Sequence, residues 1–174
     1  MFAYIKLCQS IWRNIIKNMT EILKAIKEDL SLILELQKLA YRSEAKLYYD
    51  FSLPPLLQTL EEVENQFRDH IFLKAVLNNR IIGSVRAMER GGTCYIGRLI
   101  VHPDFQNQGI GKSLMNEIEK IFNNVNRFEL FTGSISYKNI SYYKKLGYKI
   151  CKFEKVSDIL ELAYMEKIKS LNNE

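Results

Sequence analysis

The sequence contains little cysteine and little histidine. Its 174 residues include three cysteines and two histidines. Cys8, Cys94 and Cys151 are odd in number and widely separated, which is typical of reduced thiols in a cytoplasmic protein and unlike a disulfide framework. Because neither His70 nor His102 has a cysteine or a second histidine close by in sequence, we expect no structural zinc site and no bound metal.

Long apolar runs and clusters of one charge are also missing. No uninterrupted apolar run approaches the roughly 20 residues that a membrane-spanning helix needs. Hydrophobic residues make up 47% of the chain and charged residues 26%, which is ordinary for a folded domain and unlike a disordered one. The formal net charge of +5 is not gathered on any one element beyond residue 18, so we expect no nucleic-acid partner.

Residues 1–18 differ from the rest of the chain because their basic residues have no acidic counterparts. Lys6 and Arg13 interrupt every apolar stretch that could form the core of a secretory signal. Apolar residues at helical spacing in this segment would also suit a membrane surface. We favour another interpretation, in which translation begins at Met19, residues 1–18 are an N-terminal extension from an upstream start, and residues 19–174 form one domain.

The hydrophobic pattern after residue 18 alternates between strands and helices, which predicts a single α/β domain. A first strand at 21–26 precedes a helix for which Asp29 is the expected cap. Thr59 and Glu62 form the capping-box signature of a second helix. Both helices should therefore precede the main part of the sheet.

The middle of the chain is predicted to be sheet. Asn78-Asn79 is a turn signal that joins two strand patterns in a hairpin, and a glycine pair at 91–92 turns the chain into the strand 94–101. Because this strand is almost continuously apolar, we expect it at the centre of the sheet with both faces covered. A helix, a strand, a helix ending at Gly147 and two antiparallel strands follow, so the order predicts a mixed sheet with helices on both faces.

A loop with two glycines, QNQGIGKS at residues 106–113, stands between the central strand and the next helix. A Walker A loop would need glycine at Gln106, and a dinucleotide fingerprint starting at Gly109 would need glycine or alanine at Leu114. Neither pattern is satisfied, so a small NTPase is the least favoured function. Because backbone N–H groups at a helix start lack intrahelical partners, and glycine permits close approach, the loop is expected to bind a pyrophosphate.

The pattern Gln-x-x-Gly-x-Gly, after a strand that ends in Leu-Ile-Val-His-Pro, resembles the acetyl-CoA-binding motif of the GNAT N-acetyltransferase superfamily. The resemblance implies that the loop binds the pyrophosphate of acetyl-CoA, the acyl-donor cosubstrate. It also implies that the preceding strand binds the pantetheine arm through its backbone. The residues assigned to the cofactor in this way are Leu99, Ile100, Val101, Gln106, Gln108, Gly109, Ile110, Gly111, Lys112 and Ser113.

A second stretch, NISYYKKLGY at residues 139–148, resembles a later motif of the same superfamily. The resemblance implies that Asn139 contacts the cofactor arm and that Tyr143 lies beside its sulfur, while Tyr142 is expected in the core. Many members have asparagine where this chain has Ser136. Together the motifs imply a GNAT-like domain with a mixed, mostly antiparallel sheet of about seven strands and helices on both faces. Exposed terminal strands of such sheets often pair between subunits, which would allow a homodimer.

The chemistry that the resemblance implies is direct transfer of an acetyl group to a primary amine within a ternary complex. Tyr143 is the expected general acid for the CoA thiolate, because the pKa values of tyrosine and a thiol are close, about 10 and about 8.5. Its ring could instead serve only for packing. Glu89 is the candidate general base, acting directly or through water, with Glu44 and Asp50 as alternatives. Each of these carboxylates could instead be a solvated surface group, and His102 is expected to be a local structural residue.

The acceptor is expected to be an amine on a small molecule or a peptide. In GNAT proteins the passage after the first helix builds the acceptor side of the cleft, and here that passage is rich in aromatic and acidic residues. The same side chains could simply cover the sheet. A non-catalytic acyl-CoA-binding or sensing module is the alternative function, because a fold does not guarantee activity. The residues concerned are Tyr41, Glu44, Tyr48, Tyr49, Asp50 and Phe51.

Overall fold

The computed structural model describes Ile16 and residues 18–169, which form a seven-stranded sheet with flanking helices. The strands are β1 (Glu21–Lys24), β2 (Ile71–Leu77), β3 (Arg80–Arg90), β4 (Thr93–Val101), β5 (Arg127–Gly133), β6 (Lys149–Lys155) and β7 (Glu161–Ile168). The helices are α1 (Leu30–Tyr48), α2 (Pro54–Leu57), α3 (Leu60–Phe67), α4 (Ile110–Ile121) and α5 (Tyr137–Lys145). None of the helices in the described part is long and apolar enough to cross a membrane. Residues 1–15 and Lys17 lie outside the described residues, so the N-terminal extension stays a prediction.

The strands lie in the order β1-β2-β3-β4-β5-β7-β6. Every neighbouring pair is antiparallel except β4 and β5, which are parallel. The prediction of a mixed, mostly antiparallel sheet of about seven strands in one α/β domain is confirmed. β4 is central as predicted, but residues 97–99 are only half-buried, so full cover of both faces does not extend along its whole length.

Helices cover both faces of the sheet because successive residues of a strand point to opposite sides. On β2, Leu73 belongs to the main core with Leu114 of α4. The preceding residue, Phe72, belongs to a second apolar cluster with Ile33 of α1 and Val63 of α3. The predicted placement of helices on both faces is therefore confirmed.

Local sequence signals determine several element ends. The Thr59 hydroxyl accepts a hydrogen bond from the Glu62 amide at 3.2 Å, and the Glu62 carboxylate accepts one from the Thr59 amide at 2.8 Å, which confirms the capping box. Asn78 and Asn79 have φ angles of 49° and 61°, as a two-residue hairpin turn requires. Gly147 ends α5 with a φ of 94°, a left-handed conformation that glycine adopts without strain.

Asp29 departs from its predicted role as a helix cap. Its side chain makes no capping hydrogen bond to the first turn of α1. Its carboxylate instead accepts from the Ile26 amide at 2.8 Å and pairs with the Lys74 ammonium at 2.6 Å. A charge-assisted bond is stronger than a neutral one, so the carboxylate ties the start of α1 to β2.

Gly133, the last residue of β5, packs against the ring of Tyr48 from α1. A Cβ at residue 133 would lie 2.6 Å from Tyr48 Cζ, far inside van der Waals contact. We expect Gly133→Ala to lower the free energy of unfolding by about 1–3 kcal/mol, the usual cost of overpacking, as measured by urea denaturation. The double variant with Tyr48→Ala should lose less stability than the sum of the single variants, and strict additivity would contradict the proposed clash.

Candidate active site

A cavity of about 690 Å³ opens where the central strands β4 and β5 separate. The two strands pair only between residues 93–95 and residues 127–129, and the second half of β4 lines the cavity. In that half, Arg98 and Leu99 stand opposite the single residue Val85 of β3, and Arg98 has a φ of 52°. This is a β-bulge. The backbone of β4 beyond residue 95 is thus unpaired on its β5 side and available to a ligand.

The first turn of α4 forms part of the cavity wall. Its first intrahelical hydrogen bond runs from the Ser113 amide to the Gly109 carbonyl at 3.0 Å. Within residues 18–169, the amides of Ile110, Gly111 and Lys112 have no backbone acceptor. Free N–H groups at a helix start carry the positive end of the helix dipole. This turn therefore suits an anion such as a diphosphate.

The space beside this turn is narrow at Gly111. A Cβ at that position would lie 3.0 Å from Tyr142 Oη. Tyr142 is half-buried and lines the cavity, so the prediction that it belongs to the core is wrong. Its hydroxyl is buried without a hydrogen-bond partner among the described residues, and burial, with the Glu119 charge, raises its pKa to about 12. The first turn of α4 is thus flanked by a hydroxyl that has no hydrogen-bond partner among the described residues.

Most residues assigned to the cofactor come together around the cavity. Gln108 is an exception, since its amide donates to the Asp104 carbonyl at 3.1 Å. Ser113 is another, because its N–H is used inside α4. Lys138 of α5 adds a positive charge, with Nζ 3.4 Å from Gln106 Oε1. The assigned residues that line the cavity are Leu99, Ile100, Val101, Gln106, Gly109, Ile110, Gly111, Lys112 and Asn139; their contacts with a cofactor stay a prediction.

Tyr143 of α5 lines the same cavity while its ring packs against the main core. The ring centroid lies 5.3 Å from that of Tyr142 and 6.2 Å from that of Tyr148. Burial, with smaller contributions from neighbours that include Tyr41 and Glu44, raises the pKa of Tyr143 above that of free tyrosine. The hydroxyl is therefore protonated at neutral pH. The two interpretations of this residue, packing and facing the ligand, do not exclude each other.

Glu44 of α1 is the carboxylate that the described part of the fold brings to the cavity wall. It accepts hydrogen bonds from the Ser136 hydroxyl and from Asn139 Nδ2, the latter at 3.0 Å. Asn139 Nδ2 also lies 3.3 Å from Thr132 Oγ1. Because Ser136 and Asn139 lie at the start of α5, these bonds hold the carboxylate against the helix that carries Tyr143.

The other candidate acid–base residues do not line the cavity. Glu89 is exposed, and its carboxylate accepts a hydrogen bond from the Gly92 amide at 3.1 Å in the β3–β4 turn. Asp50 accepts hydrogen bonds from the side chain and amide of Ser52, which lower its pKa. His102 is buried, and its ring nitrogens make contacts at the end of β4, in keeping with the expected structural role. The structure thus brings Glu44, and not Glu89, to the cavity.

The aromatic passage expected to bind the acceptor contributes only in part. Tyr41 and Tyr48 line the cavity. Tyr49 and Phe51 do not, and they are 93% and 63% exposed. Sequence reasoning missed Arg98, which lines the cavity from the bulge. A single charged residue inside an otherwise apolar strand, CYIGRLIV, was the signal that could have identified it.

Comparisons with known proteins agree with this geometry. Residues 31–148 match the family described as "Acetyltransferase (GNAT) family". An uncharacterized N-acetyltransferase, ycf52, of Gracilaria tenuistipitata var. liui is 31% identical over 98 residues, which are 54% of this chain and 52% of that protein. An acetyltransferase of Pectobacterium atrosepticum is 34% identical over 84 residues, which are 45% of this chain and 57% of that protein. The chain thus spans about half the length of the curated relatives it matches.

Solved structures share the fold. The PaiA N-acetyltransferase of Thermoplasma acidophilum, in complex with coenzyme A, is 24% identical with a TM-score of 0.65, covering 86% of this chain and 99% of that one. The ribosomal-protein-S18-alanine N-acetyltransferase of Escherichia coli is 16% identical with a TM-score of 0.73, covering 90% of this chain and 97% of that one. At these identities the likeness shows the fold alone. Because the family match extends over residues 31–148, more than half of the chain, this protein belongs to the GNAT acetyltransferase family.

Proposed function

We propose that the protein is an acetyl-CoA-dependent N-acetyltransferase that moves an acetyl group directly to a primary amine in a ternary complex. The observation that carries this proposal is a single cavity that joins the anion-binding turn of α4, the unpaired half of β4 and Tyr143. Acyl transfer from a thioester needs an anchored donor, donors for the carbonyl oxygen and a proton for the leaving thiolate. The cavity has groups suited to each need.

Two observations support the fit of these residues to coenzyme A. The Tyr142 hydroxyl is buried without a partner among the described residues, and a Cβ on Gly111 would fill the space beside it. The free amides of the α4 turn and the ammonium of Lys112 would hold the diphosphate. The backbone of Leu99, Ile100 and Val101 would hold the pantetheine arm. When bound there, acetyl-CoA supplies an activated thioester.

In this proposal Tyr143 donates its hydroxyl proton to the sulfur. Burial keeps this hydroxyl protonated at neutral pH, although the same upward pKa shift makes it a weaker acid than free tyrosine. Support for the role therefore comes from the position of Tyr143 on the cavity wall. A nitrogen–carbon bond forms and the carbon–sulfur bond breaks, while the amine loses one proton and the sulfur gains one. The products are an amide and a thiol, so no oxidant or reductant is needed. Amide groups of β4 would stabilise the charge that develops on the carbonyl oxygen.

We assign to Glu44, rather than to Glu89, the carboxylate role in removing the proton of the amine. Glu44 lines the cavity beside the start of α5, whereas the carboxylate of Glu89 is bound in a hairpin turn. A carboxylate has a much lower pKa than an ammonium group. We therefore assign Glu44 to orienting the amine and a water molecule that carries its proton away.

The proposal is tested by thiol release from acetyl-CoA in the presence of a broad panel of amines. We expect release that depends on an amine, together with an acetylated amine detected by mass spectrometry. Binding of acetyl-CoA with no release for any amine would favour the alternative of a non-catalytic acyl-CoA-binding module. Absence of coenzyme A binding in calorimetry would exclude both.

Replacement of the Glu44 carboxylate by an amide should separate catalysis from cofactor binding. We expect Glu44→Gln to lower kcat/KM for the amine by about 10²-fold, with the Kd of acetyl-CoA unchanged, as steady-state kinetics and calorimetry would show. Glutamine keeps the size of the side chain and can still accept a hydrogen bond from Asn139. A fall in kcat/KM would therefore result from removal of the negative charge. Glu35→Gln, on the exposed side of α1, is the matched control and should retain wild-type kinetics. A fully active Glu44→Gln enzyme would remove this residue from the mechanism.

A further inference from the structure

Arg98 is a charged residue of the cavity wall that the transfer chemistry does not use. It stands at the bulge of β4, and its guanidinium carbon lies 5.7 Å from the centre of the Tyr41 ring. Its Nε is buried and has no hydrogen-bond partner among the described residues. Within residues 18–169 no carboxylate forms an ion pair with it. A guanidinium thus lines the cavity with no counterion in the part of the chain that the structure describes.

Arg86 of β3 places a second guanidinium near the first. It is 5% exposed, and its side-chain hydrogen bond goes to a neutral group, Gln58 Oε1, at 3.3 Å. Burial and the nearby charge of Arg98 lower the pKa of Arg86 to about 9. Two buried or half-buried cations without an acidic partner are unfavourable in the free protein. An anion bound beside them would relieve this cost and would gain strong, charge-assisted hydrogen bonds.

Tyr41 connects this positive region with the reaction site. Its ring lies against Arg98 and lines the same cavity as Tyr143. Glu44, one helical turn further along α1, lines the same cavity. The acceptor side therefore holds a carboxylate suited to an ammonium group and a guanidinium suited to an anion.

From this juxtaposition we propose that the acceptor amine carries an anionic group, a carboxylate or a phosphate, that binds Arg98. Arg86 acts as a positioning residue, whose charge adds to the field behind Arg98. This inference rests on the proposed acetyltransferase function and narrows its substrate class. Amines that carry only positive charge, such as polyamines, should be poor ligands, because the two arginines repel them.

The test compares the binding of matched acceptors by calorimetry in the presence of coenzyme A, which has no acetyl group to transfer. The carboxylate arm sets the common L-amino acids against amines that lack only the α-carboxylate, such as L-phenylalanine against 2-phenylethylamine. The phosphate arm sets O-phosphoethanolamine against ethanolamine. We expect the anionic member of at least one pair to bind about 10-fold tighter or more, and the arm that shows this preference identifies the anion.

The variants Arg98→Gln and Arg98→Lys assign the preference to this residue. Arg98→Gln keeps much of the side-chain length but removes the charge, so it should abolish the preference, whereas Arg98→Lys should keep part of it. Arg90→Gln, exposed at the end of β3, is the control and should retain the full preference. An unchanged Kd for coenzyme A shows that each variant is folded. If Arg98→Gln does not fold, the double variant Arg98→Lys/Arg86→Lys takes its place. An undiminished preference for anionic amines in this variant overturns the proposal, and a reduced preference supports it.

Three other results would overturn the inference. They are equal binding of all paired members, a preference that survives Arg98→Gln, and a folded Arg98→Gln variant with weakened coenzyme A binding, which would assign the residue to the cofactor. A different result would contradict the proposed acetyltransferase function alone. A preference for anionic amines without acetyl transfer would remove the acetyltransferase activity and leave the binding site standing.

Discussion

Replacement of Tyr143 by phenylalanine is expected to lower kcat by at least about 10²-fold, with the Kd of acetyl-CoA unchanged. The substitution removes only the hydroxyl group, because a phenylalanine ring can keep the contacts with Tyr142 and Tyr148. The departing thiolate would then have to take its proton from water. The measurement is thiol release at saturating acetyl-CoA and amine, with calorimetry for cofactor binding.

The pH dependence of the wild-type enzyme provides a second readout of Tyr143. Because its pKa is raised, the group stays protonated as the pH rises through and beyond the ordinary tyrosine value of about 10. At pH values up to about 10, kcat should therefore not fall through deprotonation of Tyr143. Tyr137→Phe, on the exposed part of α5, is the matched control and should be fully active. If Tyr143→Phe is equally active, the residue serves for packing alone.

Gly111→Asp is expected to raise the Kd of coenzyme A by at least about 10²-fold, or about 2.7 kcal/mol. The new carboxylate would occupy the turn whose free amides are proposed to bind the diphosphate, and like charges repel. Its Cβ would also lie 3.0 Å from Tyr142 Oη, so Tyr142 would have to move. An acidic residue in the first turn of a helix is otherwise favourable. The variant should therefore fold, and the weaker binding of coenzyme A should result from the changed binding site and not from unfolding.

The matched control for this experiment is Asn116→Asp. Residue 116 is exposed and lies further along α4, so the variant adds the same charge to the same helix away from the turn. Its Kd for coenzyme A should match that of the wild type. If Gly111→Asp bound coenzyme A equally well and melted at the wild-type temperature, the diphosphate would lie elsewhere, and the cofactor site proposed for α4 would be wrong.

Features that depend on neighbours in sequence could be predicted without a structure. The capping box at Thr59, the turn at Asn78-Asn79 and the end of α5 at Gly147 all depend on backbone conformation within a few residues. The anion-binding turn belongs to the same class. The first amides of a helix lack partners wherever a helix begins, so a strand, a glycine-containing loop and a helix in succession were enough to predict it.

Features that depend on distant pairs could not be predicted in this way. Glu44 and Glu89 are both plausible bases in the sequence. Glu44, however, is held at the cavity by hydrogen bonds from Ser136 and Asn139, which lie 92 and 95 positions further along the chain. The charge of Arg98 is visible in the sequence, but its position at the cavity wall depends on a bulge in the pairing of β4 with β3. Asp29 illustrates the same limit. Its carboxylate was expected to cap a helix, but it accepts a hydrogen bond from the ammonium of Lys74, which lies 45 positions away in sequence.

The sequence by itself therefore determined the order of the strands and longer helices, the mixed sheet and the helix start that suits a diphosphate, because local backbone chemistry and hydrophobic pattern specify them, although it missed the short helix α2 (Pro54–Leu57). Two motifs that resemble those of a known family indicated the family. Tertiary structure alone decided which carboxylate faces the cavity, that Tyr142 lines it, and that an arginine with no counterion in residues 18–169 stands on its wall. The physical reason is that these properties arise from side chains that only chain folding brings within contact distance.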